Sequence, residues 1–199
     1  VQPMVAFSLA RLPQPTRSLA AWPVVFQILL IARASALALP EAIIALSEGR
    51  QTFAPLRRFT LTVFTVTTLA MIAFVFTPVA AGYLYGVQDL TTAVGELARS
   101  GLFFAFLLPG VTVLVSWVRG LLIHARATGP VNSGMIVNVI ITAAVLAMGM
   151  LLRWPGIVAA VLALTLATAV EFVYLWWRAG RVLQFPLTFF GMDHQPVPG

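Results

Sequence analysis

Three ionisable side chains lie inside long apolar stretches of the sequence, and they are the residues best placed to do chemistry: Arg33, Glu41 and Glu171. A charge at the centre of a membrane helix costs at least about 2.5–3.5 kcal/mol, so it usually faces a cavity or a partner. Arg33 would attract an anionic group, whereas the carboxylates would bind a proton or a sodium ion. Both carboxylates are expected roughly 7–10 Å from the same end of the bundle, where they would face one cavity.

The position of Glu171 is predicted by the residues that precede it. Ala159, Ala163 and Ala167 recur at four-residue intervals and form a stripe of small side chains on the helical face that carries Glu171. Such a stripe allows a neighbouring helix to approach closely. We therefore expect Glu171 to point into a bundle, either as part of a salt bridge, as a carboxylate reaching the interface, or as part of a solute path.

Arg33 lies on a different face of its helix from the other polar residues nearby. Gln27 and Glu41 are separated by two seven-residue steps and share one face, whereas Arg33 lies about 80° from Glu41 around the axis. Arg33 must therefore pair with a residue of another helix or with an anionic solute. Pro40 removes a backbone donor and predicts a kink in this helix, which is a candidate hinge.

A polar stripe and a second candidate hinge occur later in the chain. Gly134, Asn138 and Thr142 recur every four residues, which indicates either hydrogen bonding between helices or the lining of a cavity. Pro109 and Gly110 form the second hinge candidate. Asn138 would orient a solute by hydrogen bonds.

Metal and enzyme chemistry find little support in the sequence. The chain has no cysteine, and His124 and His194 have no second histidine or carboxylate at the spacing of metal ligands. It also lacks the common nucleophile, phosphate-loop and zinc-protease motifs. We therefore predict no catalytic residue, no metal site and no cofactor.

The elements that must position these residues are membrane-spanning helices. The 199 residues are 60% hydrophobic and 9% charged, against about 25% charged in soluble domains. Five apolar blocks are each long enough to cross about 30 Å of hydrocarbon. We predict an all-α membrane protein whose residues 20–181 form an antiparallel bundle, with spans at about 22–46, 59–84, 97–123, 133–152 and 156–178. Residues 1–19 would be an extracytoplasmic segment and residues 182–199 an irregular tail.

The basic residues predict the orientation of the bundle. All twelve are arginines, and seven collect on one side of the predicted spans against four on the other. Because positively charged loops stay in the cytoplasm, the C-terminus is expected there and the start of the bundle outside, in the inner (plasma) membrane. No basic stripe interleaved with aromatic residues appears, so no nucleic-acid partner is expected.

Three stretches of the chain resemble a known transporter superfamily. Leu19 to Phe26 with Leu37-Ala38-Leu39-Pro40-Glu41, and Phe106 to Val113 with Arg119-Gly120 and Pro130, look like the progressive ankylosis branch of the multidrug, oligosaccharidyl-lipid and polysaccharide flippase superfamily (MATE-like). Gly156 to Arg178, with Glu171, is similar to its last core helix. The resemblance spans roughly residues 19–181 and implies the last five helices of a twelve-helix protein, so that a missing N-terminal bundle of the same protein would be a partner.

The resemblance implies a secondary transporter, antiporter or flippase that works by alternating access. It would move an amphipathic, anionic or lipid-linked solute, coupled to a proton or sodium gradient, in contact with membrane lipids. A second reading from the residues alone is a small membrane scaffold that transports nothing. An enzyme embedded in the membrane is a distant third, because the sequence lacks a cluster of acidic or histidine side chains.

Overall fold

The computed structural model describes residues 2–46 and 53–183, and these residues form helices joined by short connections, with no β-strand among them. The helices are α1 (Gln2–Leu9), α2 (Pro15–Ala32), α3 (Ala34–Leu46), α4 (Phe53–Phe76), α5 (Pro78–Ala81), α6 (Thr92–Ala105), α7 (Leu108–His124), α8 (Thr128–Leu151) and α9 (Gly156–Leu183), with a π-helical stretch at Gly82–Val87. The all-helical prediction is confirmed for the described residues. Most of the predicted tail at 182–199 lies outside them.

Four helical segments within the described ranges are long and apolar enough to cross a membrane. They are Pro15–Ala45, which joins α2 and α3, then Ala54–Phe76, Thr128–Leu151 and Gly156–Val182. The pair α6 and α7 makes a fifth if it is counted as one broken span, because the two helices are bent by 41°. The fold is therefore compatible with a multi-pass membrane protein of four or five spans.

The first span is interrupted at Arg33 rather than at a proline. The Arg33 amide donates to both the Leu29 carbonyl at 3.0 Å and the Leu30 carbonyl at 3.2 Å, which tightens the last turn of α2. Pro40 lies inside α3, and that helix continues past it to Leu46. The interruption therefore places Arg33, the ionisable residue of this region, at the junction of two helical segments.

Arginines form the turns that end α7 and α8. Arg126 and Arg153 adopt positive φ angles of 57° and 52°, the left-handed conformation that usually favours glycine. In each turn the residue after the arginine donates its amide to the carbonyl five residues earlier, as Trp154 does to Gly149 at 3.0 Å. This hydrogen bond satisfies a carbonyl that would otherwise have no partner at the helix end. Each helix therefore stops where the predicted connections begin.

Helix α9 runs through the middle of the bundle and packs against α8, α7 and α6. The predicted alanine stripe is completely buried, because Ala159, Ala163 and Ala167 are each 0% exposed. Close approach also depends on α8, where a Cβ atom at Gly134 would lie 2.8 Å from a Leu175 methyl group and one at Gly149 would lie 2.9 Å from the Ala159 methyl group. Small residues thus set the spacing of the central helices.

Enlarging the stripe should loosen the bundle. We expect Ala163→Leu to lower the free energy of unfolding by about 1–3 kcal/mol, because the site has no space for three more carbons. Ala144→Leu is the control, since Ala144 is exposed on α8. Thermal unfolding in detergent would measure both variants, and equal melting temperatures would show that the stripe does not limit helix approach.

Candidate functional site

Glu171 is the centre of a polar cluster inside the bundle. Its side chain is 2% exposed. Its Oε1 atom accepts a hydrogen bond from Arg119 Nε at 3.0 Å and pairs with Arg119 Nη2, while its Oε2 atom accepts one from Asn138 Nδ2 at 2.9 Å. Both carboxylate oxygens therefore have donors, and one side chain links α7, α8 and α9.

The packing of α8 on α9 explains why Asn138 reaches this carboxylate. Gly134 and Thr142, one turn to either side of Asn138, are both buried. The Thr142 hydroxyl donates to the backbone carbonyl of Asn138 at 2.8 Å, and the side-chain amide of Asn138 faces Glu171. A second link joins the two helices where Tyr174 donates its hydroxyl hydrogen to Ser133 Oγ at 2.8 Å. Thus the predicted polar stripe of α8 contributes a hydrogen bond that joins α8 to α9.

Arg33 adds a second cation to this cluster. It lies near enough to Arg119 and Glu171 to interact electrostatically with both of them. Within the described residues its side chain forms no ion pair, and its buried Nε atom has no hydrogen-bond partner. Two arginines therefore share one carboxylate, and that carboxylate is already bound to Arg119. The cluster carries a formal charge of +1 that the described residues do not neutralise.

The sequence-predicted site residues fall into two groups in the structure. Asn138 and Glu171 are joined directly, and Arg33 lies beside them. Gln27 and Glu41 are exposed, on α2 and α3. Glu41 and Glu171 were expected to face one cavity; in the structure the buried Glu171 is turned toward Arg119 and Asn138, whereas Glu41 is exposed on α3.

The candidate hinge on the third span lies at a bend of the chain. Pro109 and Gly110 are in the first turn of α7, directly after the 41° bend between α6 and α7. Both are buried, and a Cβ atom on Gly110 would collide with the Thr68 hydroxyl of α4. A side chain at this position would force Thr68 to move, so glycine allows the close contact between α7 and α4.

Arg119 is the site residue that the sequence reasoning missed. It lies inside the predicted third span, whereas the ionisable candidates that the sequence predicts within spans are Arg33, Glu41 and Glu171. A signal existed, because Thr112, Ser116 and Arg119 follow one another at four and three residues and so share one face of α7. Thr112 and Ser116 are each 5% exposed, so that face is turned inward.

The described residues contain no group of three histidine, aspartate or glutamate side chains that could hold a metal ion. No protein-family model matches the chain, and comparisons with curated proteins and with solved structures found no match either. Fold and site together define an all-helical protein with four or five apolar helices of membrane-spanning length, built around a buried cluster of Arg119, Glu171 and Asn138 with Arg33 beside it.

Proposed function

We propose that the chain is the solute-binding bundle of a secondary transporter or flippase that moves an amphipathic or anionic solute. The observation that carries this proposal is Arg33, a cation at a break between two helical segments, beside an ion pair that is already complete. Arg33 is half-buried and has no ion-pair partner in the part of the chain that the structure describes, which is costly, and a bound anion would offset that cost. A broken helix near the middle of a span is a recurrent setting for solute sites in transporters.

The structure changes the roles that we propose for the two carboxylates. Glu171 is occupied by Arg119 and Asn138, so it positions these side chains rather than binding a coupling ion in this conformation. Glu41 is exposed on α3 and is the better candidate for a proton or sodium ion. In this scheme, the proposed MATE-like relationship would make the spans formed by α2–α9 the last five spans of the protein. These spans would provide alternating access together with an N-terminal bundle.

A scaffold function is the second candidate, and one observation favours it. The network of Arg119, Glu171 and Asn138 ties three helices together with every carboxylate oxygen satisfied, as a purely structural cluster would do. Arg33 distinguishes the two functions. A scaffold gains nothing from a cation that has no ion-pair partner among residues 2–46 and 53–183, whereas an anion transporter requires a cation that is free to bind its solute.

Flux measurements would test the proposed function. The product of the full reading frame would be reconstituted in vesicles that contain a fluorescent single-chain alkyl sulfonate, whose loss from the protected leaflet is followed with a membrane-impermeant quencher. We expect protein-dependent movement of this anion that exceeds movement of a neutral alkyl alcohol carrying the same fluorophore. Equal rates with and without protein would reject transport of this class and favour the scaffold.

The proposed orientation has its own test. Because seven arginines lie on the side of the predicted spans that includes Arg178 and Arg181, we expect the end of α9 to be cytoplasmic. A reporter that folds only in the cytoplasm should be active when it is fused after Arg181, and a reporter that is active only in the periplasm should be inactive there. The opposite pattern would reverse the orientation.

A further inference from the structure

The last turns of α9 carry two arginines that take no part in the cluster around Glu171. Arg178 and Arg181 are three residues apart and are therefore neighbours on the helix surface. Within the described residues neither of them forms an ion pair. The buried Nε atom of Arg178 has no hydrogen-bond partner there either. The end of α9 therefore presents two positive charges that residues 2–46 and 53–183 do not neutralise.

An exposed apolar face of α9 leads to these arginines. Its side chains recur at four-, three- and four-residue steps and lie within about 60° of one another around the helix axis. They are between 39% and 65% exposed: Leu166, Val170, Val173 and Trp177. Arg181 continues this face, and its Cζ atom lies 3.7 Å from the centre of the Trp177 ring. Apolar side chains and a cation therefore share one outer surface of the helix.

The length of α9 places Arg181 at the level of lipid head groups. From Gly156 to Arg181 the helix rises about 38 Å at 1.5 Å per residue, which is more than the ~30 Å of hydrocarbon in a bilayer. Tryptophan favours the boundaries between hydrocarbon and water, and Trp154 and Trp177 lie near the two ends of α9. With the helix anchored in this way, residues 166–173 lie along lipid tails and Arg181 lies among head groups.

This surface selects an anionic phospholipid over other anions and other lipids. Inorganic phosphate would gain nothing from the exposed apolar side chains. A zwitterionic phospholipid would cover those side chains, but its own cation weakens the attraction between its phosphate and the arginines. An anionic phospholipid matches both parts of the surface, because its chain covers the apolar face and its phosphate pairs with the guanidinium groups.

We propose that the outer face of α9 binds an anionic phospholipid, with an acyl chain along Val170 and Val173 and the head-group phosphate held by Arg178 and Arg181. Trp177 lies at the boundary between chain and head group and supports the Arg181 guanidinium on its ring. The site does not involve Arg33 and would serve a transporter or a scaffold equally, so it goes beyond the proposed function.

Photolabelling in vesicles tests the proposal. The product of the full reading frame would be reconstituted in phosphatidylcholine with a trace of phosphatidylglycerol that carries a diazirine on one chain, and labelled peptides would be identified by mass spectrometry. Since each arginine near an anionic lipid contributes about fivefold in affinity, we expect labelling of residues 166–177 to exceed that by a phosphatidylcholine probe with the same chains by about 30-fold. Equal labelling by the two probes would overturn the proposal.

Charge variants identify the arginines as the cause. Arg178→Gln with Arg181→Gln should lose the excess labelling by phosphatidylglycerol, whereas Arg178→Lys with Arg181→Lys should keep most of it. Arg17→Gln with Arg99→Gln is the control, because it removes two exposed arginines at the end of the bundle where α9 begins. An excess that persists in the α9 glutamine pair, or that is lost equally in the control pair, would contradict the proposal.

A competition experiment distinguishes the lipid from a soluble anion. Inorganic phosphate should reduce labelling no more than sodium chloride of the same ionic strength does, because screening acts equally in both. Displacement by phosphate beyond the effect of sodium chloride would assign the two arginines to a soluble anion and reject the lipid site. The comparison of the two lipid probes on the wild-type protein requires no variant, so it decides the proposal even where the α9 glutamine pair folds poorly.

Discussion

Glu171→Leu should lower the stability of the folded protein by about 3–5 kcal/mol, which is typical when one partner of a buried ion pair is removed. The substitution leaves Arg119 without its carboxylate and Asn138 without its acceptor. It also leaves Arg119 facing Arg33 with no negative charge between them. Thermal unfolding in detergent, with chemical denaturation as a second measurement, would determine the loss.

A double variant shows whether the loss comes from the stranded charge. Glu171→Leu with Arg119→Met replaces both partners by apolar side chains, and we expect it to recover most of the stability. Glu96→Leu is the control, because Glu96 is exposed on α6 and its replacement should change stability by no more than about 0.5 kcal/mol. If Glu171→Leu were as harmless as Glu96→Leu, the ion pair would not hold the helices.

Arg33→Gln should have the opposite profile, with a large loss of flux and no loss of stability. A hydrogen bond to a charged group contributes about 1.5–3 kcal/mol, so losing the contact between Arg33 and the anion should slow transport at subsaturating solute by about 10- to 150-fold. Stability should stay equal or rise, because the substitution removes a cation that repels Arg119. Vesicle flux and thermal unfolding would be measured on the same preparation.

Two controls define what Arg33 contributes. Arg33→Lys keeps a positive charge and should retain most of the flux, and Arg99→Gln removes a distant exposed arginine and should change neither property. A variant Arg33→Gln that unfolds more easily, with flux reduced in proportion to the folded fraction, would assign Arg33 a structural role.

The burial of Glu171 could be predicted because its signal is local and periodic. Helical geometry places Ala159, Ala163 and Ala167 on one face, so the small residues that mark a helix contact also indicate where the glutamate points. Asn138 was predictable in the same way from Gly134 and Thr142. In both cases a spacing of four residues within one helix contains the information.

The partners of Glu171 could not be predicted with the same ease, because they depend on which helices become neighbours. Membrane depth alone indicates that Glu41 lies near Glu171, because hydropathy shows only that the two carboxylates are at a similar distance from the membrane surface. The structure instead brings α7 and α8 against α9, so Arg119 and Asn138 are the partners. Side-chain length matters as well, because Arg119 is 27% exposed and still reaches a carboxylate that is 2% exposed.

The interruption of the first span lies at a residue that the sequence does not mark. Pro40 indicated a kink because proline removes a helical hydrogen bond, yet α3 continues through it and the interruption lies at Arg33. Proline is tolerated in membrane helices where local adjustments satisfy the freed carbonyl. Nothing in the local sequence marks Arg33 as a break, whereas its position beside Arg119 and Glu171 is a tertiary feature.

The central claim is that Arg33, which has no ion-pair partner in the described part of the chain, binds an anion. Its most direct test is thermal unfolding during titration with an alkyl sulfonate, below its critical micelle concentration, in the wild-type protein and in Arg33→Gln. We expect the wild type to gain stability with ligand, by about 2.7 kcal/mol at a concentration one hundred times Kd, and the variant to start at least as stable and gain nothing. Equal gains in both proteins, or none in the wild type, would contradict the claim.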